Sequence, residues 1–266
     1  CNYTKHSTMK KTLLEKTADK LVNAFINNKI IAPLPSIYTK KLSEAEKLRK
    51  LCESKVKDPI IGFKAAGTGI PVMKKLKEKK PFYASIFKRN FIKSGQKVKI
   101  NKFTLGIELE VSYLIKKSFF LSKELINMKN VTKYISHMAA SIEVVGYRQR
   151  KKGITSFGDL CSDFGANVKF LIGKKQKYKK INIGNLKTNI SNKKIRQSVD
   201  GNTSTVYINP LNSLRFVLNE LKKDKVVLDK DFYVFTGSTV GVVPILGKGL
   251  YTGKVSSLGS AKAIIH

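Results

Sequence analysis

The chain has 266 residues, 42% of them hydrophobic, and its 52 lysines and arginines against 18 acidic residues give a net charge of +34. This composition supports a globular core. No apolar run approaches the roughly 20 residues of a membrane-spanning helix, so we expect no membrane partner. Cys1, Cys52 and Cys161 are too few and too scattered for a disulfide framework or a zinc site. With no secretory signal evident, the expected location is the cytoplasm.

The strong positive charge is the usual mark of a polyanionic partner such as nucleic acid. Only six of the basic residues are arginine, however, whereas dedicated readers of phosphates and base edges rely on the planar guanidinium. The lysines are also spread along most of the chain, which is typical of a solvated surface. We therefore disfavour nucleic acid as a partner, and keep non-catalytic binding of polyanions as an alternative function.

The first part of the chain predicts helices. Apolar residues recur at helical spacing over residues 8–28, and Ser7 and Thr8 are candidate caps. The pattern Ser43-Glu-Ala-Glu is a capping box for a second helix that ends near Ser54. Further elements are predicted as follows: a strand from residue 60 into a glycine-rich turn, a helix over 70–80, a strand over 97–116 and a helix over Leu121–Ala140.

From Asn167 onward the sequence becomes rich in predicted strands. These are Val168–Ile172, Ile181–Leu186, Thr203–Ile208, Tyr233–Thr236 and Tyr251–Ile265, and a helix at Leu211–Lys222 interrupts them. The predicted fold class is α+β, with an N-terminal helical part followed by a mixed β-roll. We expect residues 1–58 to form the helical part, and 59–266 to form one compact catalytic unit.

Two glutamates stand inside a strand-like run. Leu105, Ile107, Leu109, Val111 and Tyr113 alternate on one face of the predicted strand. Glu108 and Glu110 must then share the other face. Neighbouring carboxylates in a partly dry site repel each other and resist ionisation unless a positive charge lies between them. Oxygen-only ligands select a hard cation, Mg²⁺ or Mn²⁺ by preference. The alternative is that this face is simply the water-facing side of an antiparallel sheet.

A third glutamate favours the metal site. Glu143 lies in Ala139-Ala-Ser-Ile-Glu-Val-Val-Gly, a segment of small and branched residues. No lysine occurs between Lys133 and Lys151. In a chain so rich in lysine, this window predicts an interior position for Glu143.

Taken together, several segments resemble the 2-keto-4-pentenoate hydratase/4-oxalocrotonate decarboxylase family of the fumarylacetoacetate hydrolase superfamily. The likeness runs from about residue 11 to residue 265. It is carried by Ile31-Ala-Pro-Leu34, Gly62-Phe-Lys64, Gly106-Ile-Glu-Leu-Glu110, Ile142-Glu-Val-Val-Gly-Tyr-Arg148, Asp159 with Asp163, Asn209-Pro-Leu-Asn212, Phe235-Thr-Gly237 and Leu258-Gly-Ser260. It implies a β-roll of the fumarylacetoacetate hydrolase C-terminal-domain type.

The resemblance also implies roles for individual residues. Glu108, Glu110 and Glu143 would hold Mg²⁺ or Mn²⁺, and Lys64 would be a catalytic or substrate-binding residue. Substrate would be bound by Phe82, Asp163, Thr236 and Gly237. Two positions depart from the family pattern: Phe82 stands where a carboxylate is usual, and the segment after Asp163 reads Phe-Gly-Ala-Asn.

The implied activity is that of a metal-dependent lyase. It would act on a small unsaturated 2-oxo acid, nominally adding water to 2-oxopent-4-enoate to give 4-hydroxy-2-oxopentanoate. Decarboxylation of a 2-oxo acid and hydrolysis of an acylpyruvate are the alternatives within the superfamily. We also expect a homo-oligomer.

Overall fold

The computed structural model of the chain describes residues 9–149 and 153–266. The helices of this part are α1 (Leu13–Asn27), α2 (Ile37–Lys40), α3 (Leu42–Lys55), α4 (Ile70–Lys75), α5 (Phe157–Ser162) and α6 (Pro210–Lys223). The strands are β1 (Ile60–Ala66), β2 (Phe82–Phe87), β3 (Phe91–Lys93), β4 (Lys97–Val98), β5 (Thr104–Ile115), β6 (Ile135–Gly146), β7 (Asn167–Ile172), β8 (Gln176–Lys177), β9 (Lys187–Asn192), β10 (Gln197–Asn202), β11 (Phe232–Ser238), β12 (Gly249–Val255) and β13 (Gly259–Ile265).

The helices at the N-terminal end form where predicted, but their caps differ. The predicted caps Ser7 and Thr8 lie outside the described residues; α1 instead begins after Thr12, which forms a capping box with Glu15. The hydroxyl of Thr12 accepts from the Glu15 amide at 3.2 Å, and the Glu15 carboxylate accepts from the Thr12 amide at 2.8 Å. The capping box predicted at Ser43 does not form, because α3 already begins at Leu42 and places Ser43 inside the helix.

The strands form two mixed sheets. The larger has the order β2-β1-β11-β5-β6-β7-β3, with β8 paired to β6, and the smaller has the order β10-β9-β12-β13-β4. The two sheets pack closely against each other: a Cβ on Gly253 of β12 would meet Cδ1 of Leu109 on β5 at 2.5 Å. Apolar residues of both sheets, among them Ile107, Val111, Tyr251 and Ala261, share the main hydrophobic core.

The predicted helix over Leu121–Ala140 is wrong. The segment contains a short 3₁₀ helix at Val131–Tyr134 and the last residue of another at Lys117–Leu121, and its final residues begin β6. Asn127 and Asn130 explain the failure, because the side chain of each accepts hydrogen bonds from nearby backbone amides at 2.8–3.0 Å. Such local bonds compete with helix formation. Residues 135–140 then pair with β5, where they complete the ladder beside the glutamates.

Other strand predictions were partly right. Strands β7, β11, β12 and β13 lie within or close to the predicted segments. Residues 181–186 form turns rather than a strand, and Thr203–Thr205 is a 3₁₀ helix capped by Asn202. The strand predicted from residue 60 forms as β1, Ile60–Ala66. With β2 to β6 it places β structure in the first half of the chain as well as in the second. Helix α6 forms as predicted, with Asn209 as its N-cap.

The α+β class with a mixed β-roll is confirmed. Helices α1 and α3 pack in one apolar cluster that also includes Phe87 at the end of β2 and Phe164. The helical part therefore contacts the end of the larger sheet, and a boundary between residues 58 and 59 stays a prediction. Across residues 9–149 and 153–266, no helix combines the length and the apolarity needed to cross a membrane.

Candidate metal centre and cavity

The three glutamates converge at the centre of the larger sheet. Strands β5 and β6 are antiparallel, and their register places Glu108 opposite Glu143 and Glu110 opposite Ser141. Ile107, Leu109 and Val111 point to the fully buried core on the other face of β5, as the alternation predicted. Leu105 departs from this prediction: the pairing of β5 with β6 shifts register between Thr104 and Gly106, and Leu105 is 42% exposed. One carboxylate oxygen from each of Glu108, Glu110 and Glu143 lies within 4.8 Å of the others, so the three side chains could hold a metal ion.

Burial makes the charge on this cluster costly. Glu110 and Glu143 are buried and Glu108 is half-buried. Burial, reinforced by the charge of Glu143, raises the pKa of Glu108 to about 8. The same two causes raise the pKa of Glu110 well above its ordinary value. Without a cation, the cluster therefore favours protonated carboxyl groups.

Lys64 supplies one positive charge to the cluster from a strand two positions away from β5 in the sheet. It lies on β1, which pairs with β11, which in turn pairs with β5. Its buried ammonium donates hydrogen bonds to Oε1 of Glu143 and, at 2.7 Å, to the carbonyl oxygen of Gly165. Burial lowers the pKa of Lys64, but the charges of Glu143 and Glu108 outweigh this effect and raise it. Lys64 is therefore held as a cation rather than as a free amine.

A tight turn presents the Gly165 carbonyl to Lys64. Phe164, Gly165 and Ala166 all have positive φ values, of 52°, 68° and 62°. The amide of Ala166 closes the turn by donating to the Asp163 carbonyl at 2.7 Å. Three successive left-handed residues are unfavourable on their own, so neighbouring groups must hold the turn in place.

Arg148 holds both ends of this turn. Its backbone amide and its Nη1 donate to the Asp163 carboxylate at 2.7 and 2.9 Å, and its Nη2 donates to the Asn167 carbonyl at 2.8 Å. Arg148 and Asp163 are both buried. The carboxylate of Asp163 is thus paired with arginine behind the turn. In this position it orients the Gly165 carbonyl and, through it, the ammonium of Lys64.

A backbone amide fixes one further carboxylate. The N–H of Gly237 donates to Oε2 of Glu110 at 2.8 Å. Gly237 has φ of +117°, and a Cβ there would meet Oγ1 of Thr68 at 2.0 Å. Only glycine suits this position, since any side chain would collide with Thr68. The neighbouring Thr236 is buried, and its hydroxyl donates to the Val111 carbonyl at 2.6 Å.

The donor set fits a hard divalent cation. Oε2 of Glu143 is buried and has no hydrogen-bond partner among the described residues. Three carboxyl groups face one lysine in this cluster, so a net negative charge remains when all three are ionised. A buried charge without a partner is strongly unfavourable. A cation held by carboxylate oxygens would satisfy both the unpartnered oxygen and the excess charge.

The cluster opens into a cavity of about 640 Å³. Lys64, Glu108, Glu110, Glu143 and Gly237 line it, together with the turn after β1 and the segment after β11. Thr68 in the turn after β1 also lines the cavity, and we assigned it no role from the sequence. The sequence does contain a signal for Thr68, because it lies in the glycine-rich turn that directly follows the strand carrying Lys64.

Three predicted substrate-binding residues lie elsewhere. Phe82, Asp163 and Thr236 are not among the described residues that line the cavity. Phe82 is buried in an apolar cluster, with its ring centroid 5.6 Å from that of Phe157. Its place on β2, on the far side of β1, explains the separation. Of the four residues predicted to bind substrate, Gly237 reaches the cavity wall.

Comparisons with known proteins identify the fold. No protein-family model and no curated protein sequence matches the chain. The structure matches 4-oxalocrotonate decarboxylase from Pseudomonas putida complexed with magnesium and adipate, with a TM-score of 0.82 and 19% identity over 96% of this chain and 97% of that one. A second structure of that enzyme, complexed with calcium and acetate, gives a TM-score of 0.80 at 19% identity, with the same coverage of both chains.

A hydrolase shows the same architecture more distantly. Fumarylpyruvate hydrolase from Pseudomonas aeruginosa, in complex with Mn²⁺ and pyruvate, matches with a TM-score of 0.57 and 11% identity over 79% of this chain and 91% of that one. At these identities the likeness shows the fold. The β-roll fold expected from the sequence is therefore confirmed.

Proposed function

We propose that this chain, with the fold of the fumarylacetoacetate hydrolase superfamily, is a metal-dependent lyase acting on a small unsaturated 2-oxo acid. The nominal reaction is hydration of 2-oxopent-4-enoate to 4-hydroxy-2-oxopentanoate. The observation that carries the proposal is the convergence of Glu108, Glu110 and Glu143 within 4.8 Å beside Lys64. Metal complexes of proteins with the same fold support it.

The three glutamates would hold Mg²⁺ or Mn²⁺. Carboxylate oxygens without nitrogen or sulfur ligands favour such hard ions. The Gly237 amide orients Glu110 through its hydrogen bond, and Lys64 does the same for Glu143. When bound, the ion would supply Lewis-acid polarisation of the keto oxygen of a 2-oxo acid.

Lys64 would act directly on the substrate. An ammonium group has three N–H donors, and two of them are occupied by Glu143 and the Gly165 carbonyl. Because Lys64 lines the cavity, its remaining N–H can reach a substrate oxygen there. It would stabilise the negative charge that develops on the substrate and return a proton to it.

Decarboxylation is the second candidate, and the cavity walls favour it. Hydration needs a group that moves a proton of the attacking water. Within the described lining, the ionisable residues beyond Lys64 and the three glutamates are Lys75 and Asp200, and both are exposed at the surface. Decarboxylation needs no such group, because no water attacks the substrate. The strong match to a 4-oxalocrotonate decarboxylase points the same way.

A substrate screen separates these reactions. Purified protein with Mg²⁺ or Mn²⁺ is mixed with a panel of 2-oxo acids, and dienoate absorbance and CO₂ release are followed. Loss of dienoate absorbance without CO₂ indicates hydration, whereas release of CO₂ indicates decarboxylation. Turnover must disappear with EDTA and return with metal. Affinity for DNA that falls steeply with salt, in the absence of any turnover, would favour the polyanion-binding alternative.

A further inference from the structure

Exposed apolar side chains surround the opening of the cavity. Val72 of α4, Leu105 in β5 and Val242 after β11 line the cavity, yet remain 44%, 42% and 52% exposed. We call these three residues the apolar collar. Single exposed apolar residues are common on proteins, but a group around one opening marks a binding surface. The three come from distant parts of the chain, so the fold alone brings them together.

The apolar surface continues from the collar towards the carboxylates. Leu76, Val145, Ile154, Leu160 and Val240 also line the cavity, and each is buried or half-buried. A ligand whose polar end lies at Glu108, Glu110 and Glu143 would therefore run along hydrocarbon on its way to the opening. Contact between an apolar ligand and these walls would remove both surfaces from water.

The cavity is much larger than the nominal substrate. One water molecule takes up roughly 30 Å³ of liquid, so the eight heavy atoms of 2-oxopent-4-enoate occupy at most about 240 Å³. The cavity measures about 640 Å³. More than half of it would remain unfilled by the nominal substrate, and the unfilled part is the apolar end.

Among the described residues, the apolar end of the cavity has no buried cation for a second carboxylate. In residues 9–149 and 153–266, the positively charged residues that line the cavity are Lys64, which pairs with Glu143, and Lys75, which is exposed. Asp200, also exposed, adds a negative charge to the lining. A carboxylate buried against the apolar walls would lose its water without gaining a partner, which is unfavourable.

We infer that the ligand of this cavity is a 2-oxo monocarboxylate with an extended apolar tail, aliphatic or aryl, and that the apolar collar selects for this tail. The inference rests on the proposed function for the polar end of the ligand. It distinguishes this chain from the decarboxylase of the same fold that is complexed with adipate, a dicarboxylate.

Calorimetric titration of the Mg²⁺-loaded protein tests the inference. The ligands are pyruvate, 2-oxobutanoate, 2-oxopentanoate, 2-oxohexanoate and 2-oxooctanoate, with 2-oxoadipate as the dicarboxylate. We expect the Kd to fall about fourfold for each added methylene, and 2-oxoadipate to bind at least about tenfold more weakly than 2-oxohexanoate. Equal affinity along the series, or preference for 2-oxoadipate, would overturn the inference.

Variants of the collar localise the effect. Leu105→Ser and Val242→Ser should each weaken the binding of 2-oxooctanoate several-fold and leave the affinity for pyruvate unchanged. Because both side chains are partly exposed, these changes should not unfold the protein. Leu125→Ser is the matched control, since Leu125 is 73% exposed and is not among the described lining residues. If Leu125→Ser has the same effect as the collar variants, the collar does not select the tail.

Two further measurements separate this inference from the proposed function. If pyruvate binds equally well with EDTA or in Glu143→Gln, the proposed function fails. If pyruvate binding depends on metal but tail length has no effect, the inference alone fails. A neutral probe, 2-octanone, tests the apolar wall in metal-free protein by thermal shift. We expect wild type to bind 2-octanone more tightly than Leu105→Ser does. Equal shifts in Tm for the two proteins would contradict a role of the apolar collar in binding the tail.

Discussion

Glu108 and Glu143 lie directly opposite each other on neighbouring antiparallel strands. Like charges at opposed positions destabilise a sheet, and here burial adds to the repulsion. Lys64 bonds to Glu143, but one lysine leaves the cluster of three carboxylates negatively charged. This arrangement is stable only with a cation or with protons on the carboxylates, and most of the predictions below follow from that condition.

Replacing one carboxylate should remove metal binding without unfolding the protein. Glu108→Gln keeps the shape of the side chain but removes a ligand charge, so we expect affinity for Mn²⁺ to fall at least about 100-fold, with loss of turnover. The metal-free variant should be as stable as metal-free wild type or more so, because repulsion is relieved. Calorimetric Mn²⁺ titration and thermal unfolding measure the two effects.

Glu46→Gln is the control for this change. Glu46 is half-exposed on α3 and does not line the cavity. The ligand role of Glu108 would be contradicted if its glutamine variant kept wild-type affinity for Mn²⁺.

Removing the charge of Lys64 should slow catalysis more than it affects binding of metal. In Lys64→Met the ammonium can no longer stabilise or protonate the substrate, and we expect kcat to fall by about 10²–10⁴. Affinity for the cation should be maintained or increased, because a competing positive charge beside Glu143 is gone. Steady-state kinetics at saturating Mg²⁺, together with Mn²⁺ titration, provide the test. A variant with normal kcat would exclude a direct role.

Metal-free protein should lose stability as the pH rises from about 5 to about 8. Burial and the charge of Glu143 raise the pKa of Glu108 to about 8, so between its ordinary pKa and that value the native state binds more protons than the unfolded state. Stability must then fall with increasing pH. Lys64 does not oppose this trend, because its pKa is raised and it stays protonated in this range.

Thermal unfolding in EDTA across this pH range measures the slope of stability against pH. The slope should be smaller in Glu108→Gln, which has no carboxyl group to titrate at that position. Saturating Mg²⁺ should also flatten it, because bound metal keeps the carboxylates ionised. An equal slope with and without Mg²⁺ would show that the cation does not bind these groups.

Asp163→Asn should act on stability first and on catalysis through Lys64. The change leaves Arg148 buried without its partner, and breaking a buried pair in this way costs about 3–5 kcal/mol. The turn that presents the Gly165 carbonyl should loosen, so kcat should fall while affinity for Mn²⁺ changes little. Urea unfolding, kinetics and Mn²⁺ titration separate these effects. Asp200→Asn, an exposed change at the cavity, is the control.

Phe82→Asp should destabilise the protein rather than improve hydration. Phe82 is 2% exposed and packs against Phe157, so the new carboxylate would be buried without a partner. Phe82→Leu, which keeps an apolar side chain, should retain Mn²⁺ affinity with a smaller loss of stability. Urea unfolding and pentenoate turnover check both variants. Higher turnover of 2-oxopent-4-enoate in Phe82→Asp would place residue 82 in contact with substrate.

The sequence by itself determined the features that depend on local periodicity. Alternation along β5 put Glu108 and Glu110 on one face because successive side chains of a strand point in opposite directions. The absence of lysine around Glu143 predicted that this segment is buried, because lysine is rarely found in a protein interior. Helices α1 and α6 followed from apolar spacing and from turn residues close to their ends.

Only the tertiary structure decided which residues meet. The register of β5 with β6 sets Glu108 opposite Glu143, and a shift by one residue would have turned a glutamate to the other face. The role of Asp163 depends on its partner Arg148, and the position of Phe82 depends on the order of the strands. The failed helix at Leu121–Ala140 has the same origin: its last residues complete a ladder with β5, and local asparagine bonds outweigh a weak helical preference.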